Sequence, residues 1–186
     1  MVIGMDASHS GMLFFKDRLD TLSFSACSAP LAGLILEFGV ASGATISYLA
    51  NCTALSGRKI YGFDSFTGLP EKWAGYDVGH FACDPPDVPA NVELVIGLFA
   101  DTLPAFLAIH KENVALVHID CDLYASTWTV LHFLRDRIVP GTIIQMDEYW
   151  IVQEHERRAF HDWQAAYDRR CVYLARSMEQ LVVVME

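Results

Sequence analysis

The residues best able to do chemistry here are carboxylates standing where a chain normally keeps apolar side chains. In VALVHIDCDLY (114–124) an apolar run delivers Asp120 and Asp122, and in TIIQMDEYW (142–150) another delivers Asp147 and Glu148. Charged groups are costly to take out of water unless something pairs with them, and neither lysine nor arginine is near these acids in sequence. Carboxylates converging from neighbouring strand ends repel one another. A divalent cation resolves that conflict, and hard oxygen donors suit magnesium, calcium or manganese. Asp120, Asp147 and Glu148 are therefore expected to hold a metal or a substrate. Asp122, just ahead of a helical segment, is expected to cap that helix.

A second group surrounds EFGVASGAT (37–45). Gly39 and Gly43 bracket a tight strand-to-helix turn that lets a ligand approach the backbone. Ser42 and Thr45 add hydroxyls at a helix N-terminus, where backbone N–H groups point outward. The spacing is not GxGxxG, and a plain tight turn explains the glycines equally well. Asp64, however, falls in GFDSF at the end of the next apolar run. That is where a carboxylate grips ribose hydroxyls in nucleotide-binding α/β folds. Together the two features point to a nucleoside-containing ligand.

These residues need a scaffold that brings strand ends together. Five continuous apolar runs, at 34–39, 59–64, 92–97, 114–120 and 142–147, read as parallel strands covered on both faces. Helical segments lie between them at 42–57, 101–113 and 124–138, with Asp101 and Thr102 just before the second and Pro104 in its first turn. A charged helix at 154–170 precedes two further strands, 171–175 and 180–186, whose short link makes them antiparallel. The expected fold is α/β, a Rossmann-like three-layer sandwich with a mostly parallel seven-stranded sheet and an antiparallel C-terminal hairpin. Ligands bind such sheets beyond the carboxyl ends of the strands, where the acids lie. One domain is expected over 1–186, with a short helical segment in 1–30 and one helix over Met12 to Ala29. The stretch Gly68 to Pro89, with weak periodicity, reads as a long functional loop.

A formal net charge of -10 argues against a nucleic-acid partner, whose phosphates demand Lys and Arg. No apolar run approaches the ~20 residues that cross a bilayer, and the N-terminus shows no export signal, so a cytoplasmic protein is expected. Five cysteines without a CxxC pair read as free thiols.

The blocks EFGVASGAT, YGFDSFTGLPE, GLFADTLPAFL, VHIDCDLYAST and MDEYW, in that order, resemble the macrocin O-methyltransferase family of class I S-adenosylmethionine-dependent methyltransferases. The resemblance runs from about Gly33 to the C-terminus. It implies S-adenosylmethionine over the first turn, with Glu37, Gly39 and Ser42 near its amino-acid end, Asp64 on the ribose, Ser65 and Phe66 beside the adenine, and Asp101 and Thr102 bordering the adenine pocket. It also implies magnesium on Asp120, Asp147 and Glu148, and methyl transfer to a hydroxyl of a sugar or other small natural product.

Methyl transfer is an in-line displacement, so the protein must position two partners and take a proton. Asp120 and His80 are the candidate bases, although His80 reads first as an ordinary surface residue. His118, inside a strand, reads as a hydrogen-bonded core histidine, and His155 and His161 as solvated. Trp73, Tyr76, Phe81, Tyr149 and Trp150 are expected near the mouth, where they suit a sugar or an aromatic ring. Two departures weaken the substrate reading. The segment before the first strand is short for the family, so the pocket is expected to be either open or completed by a partner subunit of a homodimer. The acidic pair at 147–148 is Asp-Glu rather than Asp-Asp. A nicotinamide-dependent oxidoreductase and a non-catalytic cofactor-binding or interaction module are the competing functions.

Overall fold

The computed structural model describes residues 11–30 and 32–186. Its elements are β1 (Leu13–Phe14), α1 (Arg18–Ser28), β2 (Leu34–Phe38), α2 (Ala44–Asn51), β3 (Ile60–Asp64), β4 (Val92–Ile96), α3 (Phe99–Ile109), β5 (Val114–Ile119), α4 (Tyr124–Leu134), β6 (Ile143–Met146), α5 (His155–Tyr167), β7 (Cys171–Arg176) and β8 (Leu181–Met185). All eight strands join one sheet in the order β1-β7-β8-β6-β5-β2-β3-β4. β8 runs antiparallel to both β6 and β7, and every other pairing is parallel.

The central strands β2, β5 and β6 are buried along their length because both faces are covered. On β2, Leu34, Leu36 and Phe38 pack with Phe106, Leu131 and Trp163 of α3, α4 and α5. Ile35, between them, packs with Leu22 of α1 and Ile46 and Leu49 of α2. This alternation at period two sorts one apolar run into two cores.

The expected Met12–Ala29 helix divides in two. Leu13 and Phe14 extend the sheet edge beside Ala175 and Arg176, and the helix starts at Arg18 because the Asp17 side chain caps Leu19 N at 2.8 Å. Residues 1–10 of the predicted N-terminal segment lie outside the described residues. The second predicted helix begins earlier than expected, at Phe99, so Asp101 and Thr102 sit in its first turn rather than before it.

The chain builds β2, β3 and β4 toward one edge, then returns to place β5 and β6 on the other side of β2. The reversal falls between β2 and β5, the position where open α/β sheets leave a crevice. Gly39 follows β2 there, directly against Asp120, whose N–H donates to Phe38 O at 2.9 Å. Gly39 has φ +91, and a Cβ on it would collide with the Asp120 carbonyl oxygen. Only glycine lets these two strand ends close.

Candidate active site

A cavity of about 590 Å³ opens over the crevice, within the range of small-molecule and cofactor sites. One half is lined by Gly39 to Ser42, Thr45, Asp64, Ser65 and Gly97 to Ala100; the other by Arg18, Asp120, Asp122, Asp147, Glu148 and Glu179. Leu69, Pro70 and Phe81 of the 68–89 loop form part of the wall. That loop has no helix or regular strand, yet it is anchored, since Leu69 and Trp73 bury against Leu123.

In the first half, Asp64 organises the turn. Its Oδ2 accepts from Val40 N and Ala41 N, both at 2.8 Å, and its Oδ1 from Phe66 N at 2.8 Å. A carboxylate offers about four acceptor positions, so one remains on Oδ1 for a ribose hydroxyl. Backbone at the glycine turn, Ser42, Thr45 and Ser65 supply polar groups, and Leu98 with Phe99 an apolar side. This donor set fits a nucleoside cofactor. Asp101 and Thr102 do not line the cavity: the Thr102 hydroxyl donates to Leu98 O at 3.0 Å, and Gly97 to Ala100, just ahead of them, take their place. Phe66 is buried in the core beneath the site rather than in its lining.

Glu37 also lies beneath the site. Fully buried, it accepts from Thr45 Oγ1 at 2.9 Å on Oε1 and contacts His118 Nδ1 at 3.0 Å through Oε2. The strand register sets Glu37 beside His118 and His118 beside Gln145, and Gln145 Oε1 accepts from Ser25 of α1 at 2.6 Å. A row of polar side chains thus crosses three strands under α1, each needing a partner because burial without one is costly. Burial works against a charged His118, but Asp147 and Glu37 outweigh it and push its pKa up to about 10. His118 Nε2 lies 3.6 Å from Asp147 Oδ1, an ion-pair distance rather than a hydrogen bond.

The second half holds the acids, and the tertiary fold supplies a cation that the local sequence lacks. Arg18 Nη2 lies 3.1 Å from Asp120 Oδ2 and 3.1 Å from Asp147 Oδ2. Gln180 Nε2 donates to Asp147 Oδ1. Burial would raise the Asp147 carboxyl, but His118 and Arg18 hold it below its ordinary value. Asp120 behaves oppositely: burial first, then the Asp147 charge, push it up to about 7 against the pull of His118 and Arg18. His118, Asp120 and Asp147 each offer a ligand atom, all within 4.8 Å of one another. Glu148, expected as the third metal ligand, is not in this group. Burial and the neighbouring Asp122 push its carboxyl up to about 10. The donor set therefore fits a divalent cation through Asp120 and Asp147, with His118 beside them able to ligate only after losing its proton.

Asp122 does not cap α4. Its φ is +62, the helix starts from Leu123 with no side-chain cap, and Asp122 faces the cavity beside Glu148. His80 does not line the cavity. It stacks on Tyr76 at 4.2 Å between ring centroids in the exposed loop. Among the expected mouth aromatics only Phe81 reaches the lining; Tyr149 is buried, its hydroxyl 2.7 Å from both His161 Nε2 and the Tyr173 hydroxyl. His155 is likewise partnered, accepting from Tyr124 N at 3.3 Å.

Sequence reasoning missed Arg18 and Glu156. Glu156, fully buried on α5, accepts from Cys121 N at 3.3 Å and Glu148 N at 3.0 Å, so one side chain fixes the loops after β5 and β6. A glutamate within a charged helix segment carries no local signal of that role. Arg18 carries a faint one: a cation in the first turn of a helix opposes the helix dipole and so asks for an outside partner.

A parallel sheet reversing beside a glycine turn, with a ribose-ready carboxylate and acids at the strand ends, defines a nucleoside-cofactor-binding α/β protein. The chain belongs to the methyltransferase domain family, whose model matches residues 36–149. A curated relative, 8-demethyl-8-(2,3-dimethoxy-alpha-L-rhamnosyl)-tetracenomycin-C 4'-O-methyltransferase of Streptomyces olivaceus, is 28% identical over 177 residues, covering 81% of this chain and 66% of its own length. The chain thus spans just under two thirds of that relative. Among solved structures, the calicheamicin methyltransferase CalS11 aligns with TM-score 0.72 at 24% identity, covering 89% of this chain and 76% of that one. Its apo form, described as a TDP-rhamnose 3'-O-methyltransferase, aligns with TM-score 0.65 at 25% identity over the same shares. The O-methyltransferase NovP aligns with TM-score 0.65 at 21% identity, covering 90% of this chain and 78% of its own. Among the described residues no helix is long and apolar enough to cross a membrane.

Proposed function

We propose that the protein is an S-adenosylmethionine-dependent O-methyltransferase that methylates a hydroxyl of a small molecule, a sugar ring of the rhamnose type being the first choice. The observation that carries this reading is one cavity joining the glycine turn to Asp120 and Asp147, so that a nucleoside-bound donor and a hydroxyl acceptor would meet inside it. The rhamnose preference draws on the activities for which the Streptomyces olivaceus relative and CalS11 are named.

When bound, the sulfonium supplies an electrophilic methyl group, whose C–S bond breaks with the electron pair left on sulfur. The protein's own contribution is to position and to remove a proton. Asp64 fixes the 40–41 backbone through two hydrogen bonds and offers its remaining acceptor position to the ribose. Thr45, tied to Glu37, and Ser42 line the cavity and would hold the amino-acid end. Asp120, held near neutral pKa and 24% exposed toward the cavity, is placed to accept the acceptor's hydroxyl proton, because a base works best near the operating pH. Without a bound cation, Arg18 holds Asp120 in position by bridging it to Asp147. Asp120 and Asp147 are the residues that would hold a magnesium ion, which would act there as a Lewis acid on the acceptor hydroxyl. A nicotinamide reading is disfavoured because hydride transfer uses no acid cluster of this kind.

Isothermal titration with S-adenosylmethionine, S-adenosylhomocysteine and NAD tests the cofactor, followed by methyl transfer to a nucleoside diphosphate rhamnose. Micromolar binding of both sulfur ligands and none of NAD is expected. NAD binding, or no sulfur ligand bound, refutes the reading; cofactor binding with no transfer to any hydroxylated acceptor supports the non-catalytic module instead.

A further inference from the structure

We infer that Arg18 is a built-in counter-ion that competes with a divalent cation for the Asp120–Asp147 pair, so that the Arg18 ion pair and cation binding exclude one another. A single nitrogen, Arg18 Nη2, lies 3.1 Å from an oxygen of each acid, and a point positive charge shared by two carboxylates is what a bound cation would also be. The same two acids, with His118, converge ligand atoms within 4.8 Å of one another. The independent sign that the place suits a ligand is His118 Nε2: it is buried, without a hydrogen-bond partner, and 3.6 Å from Asp147 Oδ1.

Two positive charges cannot share the same oxygens without strong repulsion, so one leaves. Side-chain exposure identifies which: Asp147 is 9% exposed and Asp120 24%, whereas Arg18 is 51% exposed. The acids are held by the sheet and by Gln180, while Arg18 projects from the first residue of α1. It also has somewhere to go. A second cleft of about 330 Å³ borders Arg18 and Asp147 and carries Asp17 and Glu179 as alternative partners. Its place at a helix N-terminus, where the dipole disfavours a cation, means that the acids are what retain it. The apparent cation affinity of the chain is then the intrinsic affinity reduced by the fraction of molecules in which Arg18 is released.

The experiment titrates the full chain with manganese, reading free ion by electron paramagnetic resonance, in the wild type and in Arg18→Met. At least about tenfold tighter binding is expected in the variant, a typical size for coupling between two ligands of one site, and none in the Arg18→Met, Asp120→Asn double variant. Equal affinity in wild type and Arg18→Met overturns the inference, as does failure of both to bind. A second readout needs no folded Met variant: in the wild type, saturating magnesium should move the Arg18 Nε–H resonance, assigned by its loss in Arg18→Lys, to the position of a solvated guanidinium. An unmoved resonance with magnesium bound also overturns it. The inference stands on the acids and Arg18 rather than on the methyl donor, and a parallel titration with S-adenosylhomocysteine separates its failure from failure of the methyltransferase reading.

Discussion

Replacing Gly39 by alanine tests whether the approach of β2 to β5 builds the site. Two costs apply. The residue has φ +91, and an L-residue in left-handed backbone loses about 1–2 kcal/mol. In addition the new Cβ meets the Asp120 carbonyl oxygen, which is backbone and cannot swing aside; forcing atoms into a packed space adds about 1–3 kcal/mol. The sum is about 2–5 kcal/mol, and with about 2–4 °C per kcal/mol for a chain of this size the melting temperature should fall by about 4–20 °C. Gly57 is the control. Its φ is +76 but nothing lies within 4 Å of a Cβ there, so Gly57→Ala carries only the conformational cost, about 2–8 °C. Thermal denaturation of both variants isolates the collision, and titration with S-adenosylhomocysteine reads the displaced turn. If Gly39→Ala melts no lower than Gly57→Ala and binds the cofactor normally, the strand ends do not close as described.

Asp120→Asn should lower methyl transfer by about 10²–10⁴-fold, the usual worth of a positioned base, while S-adenosylhomocysteine still binds; an unchanged rate removes Asp120 from the proton transfer. Glu156→Gln turns an amide N–H against Cys121 N or Glu148 N, leaving a buried donor unmatched at a cost of about 1–3 kcal/mol, and hydrogen exchange at those two amides should quicken together. Exchange unchanged at both would mean that Glu156 does not clamp the loops. Cys171 has its thiol pushed up to about 11, chiefly by burial. The folded chain keeps the proton longer than the unfolded one, so stability falls as pH rises from the ordinary value of 9.0 toward about 11. Denaturant midpoints measured across that range should therefore decline less steeply in Cys171→Val, and parallel declines would refute it.

The cofactor half of the site was legible because its signals are local. Gly39, Ser42, Thr45, Asp64 and Ser65 sit within a few residues of a strand end, and in an open parallel sheet strand ends define the crevice; all five line it. Asp101 and Thr102 fell outside it because the helix starts at Phe99, and element boundaries are weakly encoded. The acid half was only partly legible. The runs ending in Asp120 and Asp147 located the acids, but the sequence offered no cation within reach, so a metal was the physical way to reconcile them.

Hydrophobic run length, period and turn residues determined an α/β sheet with a C-terminal antiparallel strand, because those signals act over neighbouring residues. What balances the acids was decided by the tertiary structure alone. Arg18 stands 102 residues from Asp120 and 129 from Asp147, and Glu37 stands 81 from His118. Electrostatic pairing depends on distance in space, and that distance exists only after the sheet has set β2, β5 and β6 side by side beneath α1.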